Sequence, residues 1–170
     1  TIATTTLQLL PGRVATVFGS SAPNANPSTW SWTLDGTTIA GATSSSVTAN
    51  IDQQGSYQAK VTDINGCTNF SNIIKIGSEA SRRLWIYPNP NGGSFQVRVY
   101  YNGVQAERRI VRIYNMGGQL VAQKEFDLDS RTNNYLSLTF DLPLLAAGTY
   151  GVKVVDKNGA RITSGFVVIQ

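Results

Sequence analysis

The side chains able to carry acid–base, nucleophilic or metal chemistry are few in this chain of 170 residues, and their spacing suits none of those reactions. There is no histidine, which removes the usual general base, the commonest metal ligand and every Ser-His or Cys-His nucleophile pair. A single cysteine, Cys67, excludes an internal disulfide and a multi-cysteine metal cluster. It follows a tight turn with no base to activate it and is expected to be an inert, partly buried thiol. Asp127-Leu128-Asp129-Ser130-Arg131 opens like a calcium loop, but Arg131 occupies a ligand position and no glycine follows, so a polar hairpin turn is expected. Asn115-Met116-Gly117-Gly118 has neither the glycine spacing nor the following helix of a phosphate loop. Trp85 and Tyr101 could stack on a sugar, although single aromatics at strand edges more often pack under loops. Ten Asp and Glu residues spread along the chain supply no catalytic pair. A role without catalysis, metal or cofactor is expected.

The elements that carry these residues read as strands. Short alternating apolar runs recur about every ten residues, separated by Gly, Asn and Asp turns, which is the pattern of an all-β sandwich. Trp30, Trp32 and Leu34 share one face ahead of an Asp35-Gly36 turn, and Phe95, Val97 and Val99 alternate with Gln96, Arg98 and Tyr100. Charge and composition then divide the chain. Residues 1–77 hold three Lys/Arg and three Asp/Glu; residues 78–170 hold eleven and seven. Ser and Thr run the other way, 22 before residue 78 and 10 after it. Both shifts meet at a small, polar stretch without apolar periodicity, so the expected domains are 1–77 and 84–170, joined by a linker at 78–83 that is exposed and mobile. The overall surplus of four positive charges, with no groove-reading element, argues against nucleic acid. No apolar run approaches 18 residues, so direct membrane insertion is not expected. A start at Thr1 is expected of a fragment or processed form.

An internal repeat sharpens the architecture. Residues 55–76 (GSYQAKVTDINGCTNFSNIIKI) align without gaps, at an offset of 93, on residues 148–169 (GTYGVKVVDKNGARITSGFVVI), with nine identities in 22 positions. Each copy is strand, Asp-x-Asn-Gly turn, strand. The expectation is two tandem immunoglobulin-like antiparallel sandwiches, each closing on the same hairpin. Gly-x-Tyr before the penultimate strand resembles the tyrosine corner of such folds, and Trp30 or Trp32 stands as the central tryptophan. Ala59 and Val17 or Phe18 replace the sandwich cysteines. The first domain resembles the immunoglobulin-like or PKD-type modules of bacterial surface proteins, and its shorter length suggests an opening strand missing upstream.

The second domain holds the most specific pattern. It opens on Trp85-Ile86-Tyr87-Pro88-Asn89-Pro90-Asn91-Gly92-Gly93, continues through Val111-Arg112-Ile113-Tyr114-Asn115-Met116-Gly117-Gly118, and ends with Gly148-Thr149-Tyr150-Gly151-Val152-Lys153-Val154 and a final strand. Three motifs in this order resemble the type A C-terminal sorting domain of type IX secretion substrates in Bacteroidetes. The resemblance implies a removable, non-catalytic export label that follows a cargo upstream in the same chain through the outer-membrane translocon. It further implies a shuttle protein and a sortase-like peptidase as partners, and a secreted or cell-surface destination. Tyr87, Pro88, Asn89, Pro90, Gly117, Gly118, Gly148, Tyr150, Lys153 and Val154 carry the motifs. Their physics is fold-specifying: Pro88 and Pro90 remove two backbone donors and suit an edge strand, while Gly92-Gly93 and Gly117-Gly118 suit positive-φ turns. The closing strand lacks the lysines frequent in the family.

Two further expectations concern faces. If the strands around 94–100 and 108–114 pair as a hairpin through Asn102-Gly103, then Arg98, Tyr100, Arg108, Arg112 and Tyr114 form a basic-aromatic stripe able to dock an acidic receptor loop. In the final strand, Phe166 and Val168 are expected to face the core. The competing function is an adhesion or carbohydrate-binding module that stays on the mature protein.

Overall fold

The computed structural model describes residues 1–20 and 27–170. The chain divides into two compact units, Thr1–Glu79 and Ala80–Gln170. No helix occurs among the described residues, so none is long and apolar enough to cross a membrane.

The first unit contains β1 (Ile2–Thr4), β2 (Gln8–Leu9), β3 (Ala15–Gly19), β4 (Pro27–Leu34), β5 (Thr37–Thr38), β6 (Ser46–Ala49), β7 (Gly55–Asp63), β8 (Thr68–Phe70) and β9 (Ile74–Ser78). One sheet is ordered β1-β3-β6; the other is β2-β9-β7-β4-β5, with β8 also on β7. Ile2, Ala15, Val17 and Ala49 from the first sheet are buried, as are Leu9, Trp32, Tyr57, Ala59 and Ile76 from the second. Burial of both inner faces makes the unit a sandwich. Trp32 is the central tryptophan: it is fully buried, its Nε1 donates to the Ser44 carbonyl at 2.9 Å, and Trp30 stacks beside it at 6.2 Å. Val17 and Ala59, the residues expected in place of the sandwich cysteines, are both fully buried, whereas Phe18 is exposed.

The second unit contains β10 (Trp85–Tyr87), β11 (Ser94–Arg98), β12 (Glu107–Tyr114), β13 (Leu120–Leu128), β14 (Leu138–Asp141), β15 (Gly148–Asp156) and β16 (Arg161–Ile169). Its sheets are β10-β11-β14 and β13-β12-β15-β16. Phe95, Val97, Leu138 and Phe140 from one pack with Val111, Ile113, Tyr150, Val152, Val154, Val167 and Ile169 from the other in one core. The protein is therefore all-β, and both units have an immunoglobulin-like antiparallel sandwich architecture.

The tyrosine corner and the aspartate turn of the repeat have the same geometry in both copies. Tyr57 lies near the start of β7 and Tyr150 near the start of β15, and each donates to the carbonyl four residues upstream, Gln53 at 2.6 Å and Ala146 at 2.8 Å. Burial, with Asp35 second, pushes the Tyr57 phenol above its ordinary pKa. Asp63 Oδ1 accepts from the amides of Asn65 and Cys67; Asp156 Oδ1 accepts from those of Asn158 and Ala160, all at 2.8–2.9 Å. Gly66 and Gly159 both sit at φ 85°, a left-handed conformation that strains any residue with a Cβ. Each aspartate thus folds its own turn.

Three expectations need correction. Gly77 and Ser78 pair with Gln8 and Leu9, and the Glu79 amide donates to the Leu9 carbonyl, so the first unit runs to Glu79 and the connection is shorter than 78–83. Backbone pairing at an edge needs no apolar side chain, which is why composition missed it. In the final strand Val167 and Ile169 are buried while Phe166 is 63% exposed, the reverse of the expected faces. The cause is register: buried Tyr150 lies directly opposite Val167, and directly opposed residues share a face, so Val167 and, two residues on, Ile169 turn to the core. Finally, Cys67 is exposed rather than partly buried.

Candidate functional site

The proline motif and the end of the chain form one edge. Neither Pro88 nor Pro90 has an amide to donate, so the backbone between them cannot build an ordinary ladder. The Asn89 side chain replaces it. Its Nδ2 donates to the Phe166 carbonyl and its Oδ1 accepts from the Val168 amide, both at 2.9 Å. One step on, the backbone resumes the pairing: the Asn91 amide donates to the Val168 carbonyl at 3.0 Å and the Gln170 amide donates to the Asn91 carbonyl at 2.9 Å. Asn91 lies parallel to Ile169. The Asn91 side chain braces the loop, donating to the Pro88 carbonyl and accepting from the Gly93 amide at 2.8 Å. Gly93, at φ 100°, approaches the Leu142 carbonyl so closely that a Cβ would lie 2.6 Å from that oxygen. The Tyr87–Pro88 and Asn89–Pro90 peptides are cis. Only Gly93 and Gly118 of the two expected glycine pairs have positive φ.

Tyr87 is held from the other side. Arg98, 3% exposed, sits on the outer face of the three-stranded sheet and donates to the Tyr87 hydroxyl at 3.4 Å, to Gln96 Oε1 at 3.2 Å and to the Tyr135 carbonyl at 3.3 Å. Tyr100 packs edge-on against buried Tyr135 at 5.5 Å. Tyr101 is buried too, so it cannot meet a sugar, and Trp85 lies under the Arg83 guanidinium at 4.4 Å.

The expected hairpin stripe does not form. β11 pairs with β10 and β14, whereas β12 pairs with β13 and β15, so the Asn102-Gly103 turn passes from one sheet to the other. Arg98 and Tyr100 are thereby separated from Arg108, Arg112 and Tyr114. The latter three do share the outer face of the four-stranded sheet. Arg108 is neutralised by Asp127 at 2.7 Å, with Glu125 at 3.8 Å. The Arg108 hydrogen bond holds the Asp127 carboxyl below its usual range, and Arg131 does the same for Asp129 in the neighbouring turn. That turn is built by Asp129 accepting from the Arg131 amide and guanidinium, which makes it the polar turn expected. Groups of acidic, Cys or His side chains able to hold a metal are absent among the described residues.

Sequence reasoning missed one member of this outer face. Arg112 lies directly opposite Lys153, and Tyr114 opposite Gly151, which in turn lies opposite Phe166. Lys153 Nζ stands 5.1 Å from the Tyr114 ring centroid. The Met116-Gly117-Gly118 turn closes this end, with Asn115 Oδ1 accepting from the Gln119 amide at 3.0 Å. Lys153 and Gly118, counted as motif residues, and Tyr114, counted as a docking residue, therefore line one depression of 290 Å³. The alternation of β15 already placed Lys153 opposite to Tyr150, Val152 and Val154; what was lacking was the strand beside it.

A family model described as the secretion system C-terminal sorting domain matches residues 85–170. No curated protein matches the chain. Among solved structures, dimeric latent PorU from Porphyromonas gingivalis is similar at 17% identity and TM-score 0.43, over 92% of this chain and 18% of that one. The chain thus spans under a fifth of that protein's length. The fibronectin(III)-like modules of Clostridium thermocellum CbhA are similar at 11% identity and TM-score 0.36, over 99% of this chain and 93% of theirs. The Bacteroides ovatus glucan-utilisation protein SGBP-B, solved with a mixed-linkage heptasaccharide, is similar at 17% identity and TM-score 0.36, over 96% and 43%. None of these structural likenesses bears on function.

Proposed function

The chain belongs to the secretion system C-terminal sorting domain family through residues 85–170, and from that premise we propose that its second unit is the folded export label of a type IX substrate. In this reading the label directs a cargo in the same chain across the outer membrane, and the first unit, residues 1–79, is an immunoglobulin-like spacer. The observation that carries the reading is coincidence of extent: the family match at 85–170 falls within one compact unit, Ala80–Gln170. The site supports it in physical terms. Motifs at opposite ends of this unit meet on one edge through Asn89 and Asn91, so a partner reading that edge reads a finished fold and not a linear code.

The work asked of the label is recognition, which needs shape, charge and apolar contact and no reacting group. Its partners are the type IX translocon, an outer-membrane shuttle protein and a sortase-like peptidase. The peptidase cuts at the connection between the units, where Arg82 and Arg83 are exposed. The cargo reaches the cell surface or the medium.

The test is a reporter fused ahead of residues 1–170 and, in parallel, ahead of residues 1–79, expressed in a type IX-competent host. Export of the first and retention of the second is expected. Retention of both, or export of both, overturns the reading.

A further inference from the structure

Resting on the sorting reading above, we infer that the depression over Gly151 is the docking pocket of the label, and that it receives an extended acidic segment of the export machinery with the pattern carboxylate, any residue, apolar residue. Gly151 has no fold reason to be glycine. It lies inside β15, where glycine weakens a strand. It is not among the left-handed glycines, and a Cβ there would meet nothing within 4 Å. What glycine provides is a gap between two aromatic neighbours, Tyr114 on β12 and Phe166 on β16. Met116, 73% exposed, and Phe166, 63% exposed, present apolar surface around it that a lone domain has no use for.

The polar half of the pattern comes from the next pair along the strands. Arg112 and Lys153 stand directly opposite each other, and like charges in that position repel. Arg112 Nε donates to Gln123 Oε1 at 2.9 Å and Lys153 rests on the Tyr114 ring; neither is a member of the ion pairs formed by Arg108, Arg109 and Arg131. An incoming carboxylate relieves that repulsion. The surplus of basic over acidic residues in this half of the chain, eleven against seven, favours the same sign of partner. The Arg112–Lys153 pair and the Tyr114–Gly151 pair are two residues apart, about 6.6 Å along a strand, which is the distance between side chains i and i+2 of an extended segment. Hence a carboxylate and an apolar side chain separated by one residue fit the two positions together.

The experiment titrates the ¹⁵N-labelled chain of residues 1–170 with a six-residue peptide containing Glu-Thr-Leu, and with the same peptide carrying Lys-Thr-Leu. The first should shift the amides of Gly151, Lys153 and Phe166. The second should not, and Gly151→Val, which fills the gap in a conformation that valine favours, should weaken the first by about tenfold or more. No shift at these amides, equal shifts from both peptides, or unchanged binding to Gly151→Val overturns the pocket. A melting curve as high as the parent's shows that Gly151→Val is folded; if it is not, Lys153→Glu, which should lose the Glu-Thr-Leu response, decides the question. In the reporter assay, normal export of both variants overturns the pocket while leaving the sorting reading intact. Retention of the unaltered fusion overturns the sorting reading and the pocket with it.

Discussion

The two units share a strand plan and differ at its last edge. In both, a three-stranded sheet packs on a sheet that ends in a tyrosine-cornered hairpin, and in both a short segment runs parallel to the final strand. In the first unit that segment is ordinary backbone, Gln8 and Leu9 against Gly77 and Ser78, and the hairpin is interrupted at Ser71, whose hydroxyl accepts from the Ala59 amide at 2.9 Å. In the second, the hairpin runs unbroken through nine residues of β16, and the parallel segment is the proline motif, closed by the Asn89 side chain. The outer faces differ as well. Among the described residues, only those of the second unit set a lysine and an arginine opposite each other beside an aromatic gap. The shared motifs build the sandwich, and the proposed docking pocket rests on the departures from that shared plan.

That comparison can be broken most severely at the final strand. Deleting residues 161–170 removes Val167 and Ile169 from the core, a loss of about 3–6 kcal/mol by area alone, against a stability of roughly 5–15 kcal/mol for a typical domain. It also strips β15 of one of its two partners, leaving only β12. The second unit should unfold while the amide spectrum of the first persists; joint survival or joint collapse contradicts the division into independent units. Asn89→Ala comes next. Loss of both hydrogen bonds to β16 should cost about 1–2 kcal/mol in denaturant melts of the second unit. Gln8→Ala, at the corresponding place in the first, should cost below about 0.5 kcal/mol because backbone alone pairs there. Equal costs would erase the difference between the edges.

Smaller effects sharpen the likeness. Tyr57→Phe and Tyr150→Phe each remove one hydroxyl bond of the same geometry, and each should lower its own unit by about 1 kcal/mol. The smallest effect is acid sensitivity. Asp127 and Asp129 have folded pKa values below the usual carboxylate range, so their contribution is complete above the unfolded value, near pH 4 by ordinary reference, and is lost as pH falls through the folded values. The denaturation midpoint of the second unit should fall modestly below that pH, and less in Asp129→Asn.

Much of the fold was legible because it rests on local chemistry. Asp63 and Asp156 organise their own turns, the tyrosines bond four residues back, and alternation holds over 111–113 in β12 and 150–154 in β15. Longer-range pairing was not legible. Asn102-Gly103 has the residues of a hairpin turn, yet it changes sheets, and only the competition between β12 and β14 for β11 decides that. The faces of Phe166 and Val167 could not be told apart by hydrophobicity, since both sides of that strand are apolar; the partner strand chose. Arg98 looked like a surface charge because alternation points it away from the core, but Tyr135 and Tyr87 cover it there. At the candidate site the motif residues could be named, while their convergence over Gly151 depends on three strands lying side by side.

The central claim is that the export signal is a folded shape. Its most direct test is to compare, in a type IX-competent host, a reporter fused to residues 1–170 with the same reporter fused to residues 1–160, measuring reporter outside the cell and in the periplasm. The account predicts that the first reaches the surface or medium and that the second, still carrying Tyr87-Pro88-Asn89-Pro90 and Gly148–Val154 but lacking β16, accumulates in the periplasm. Equal export of the two would contradict it.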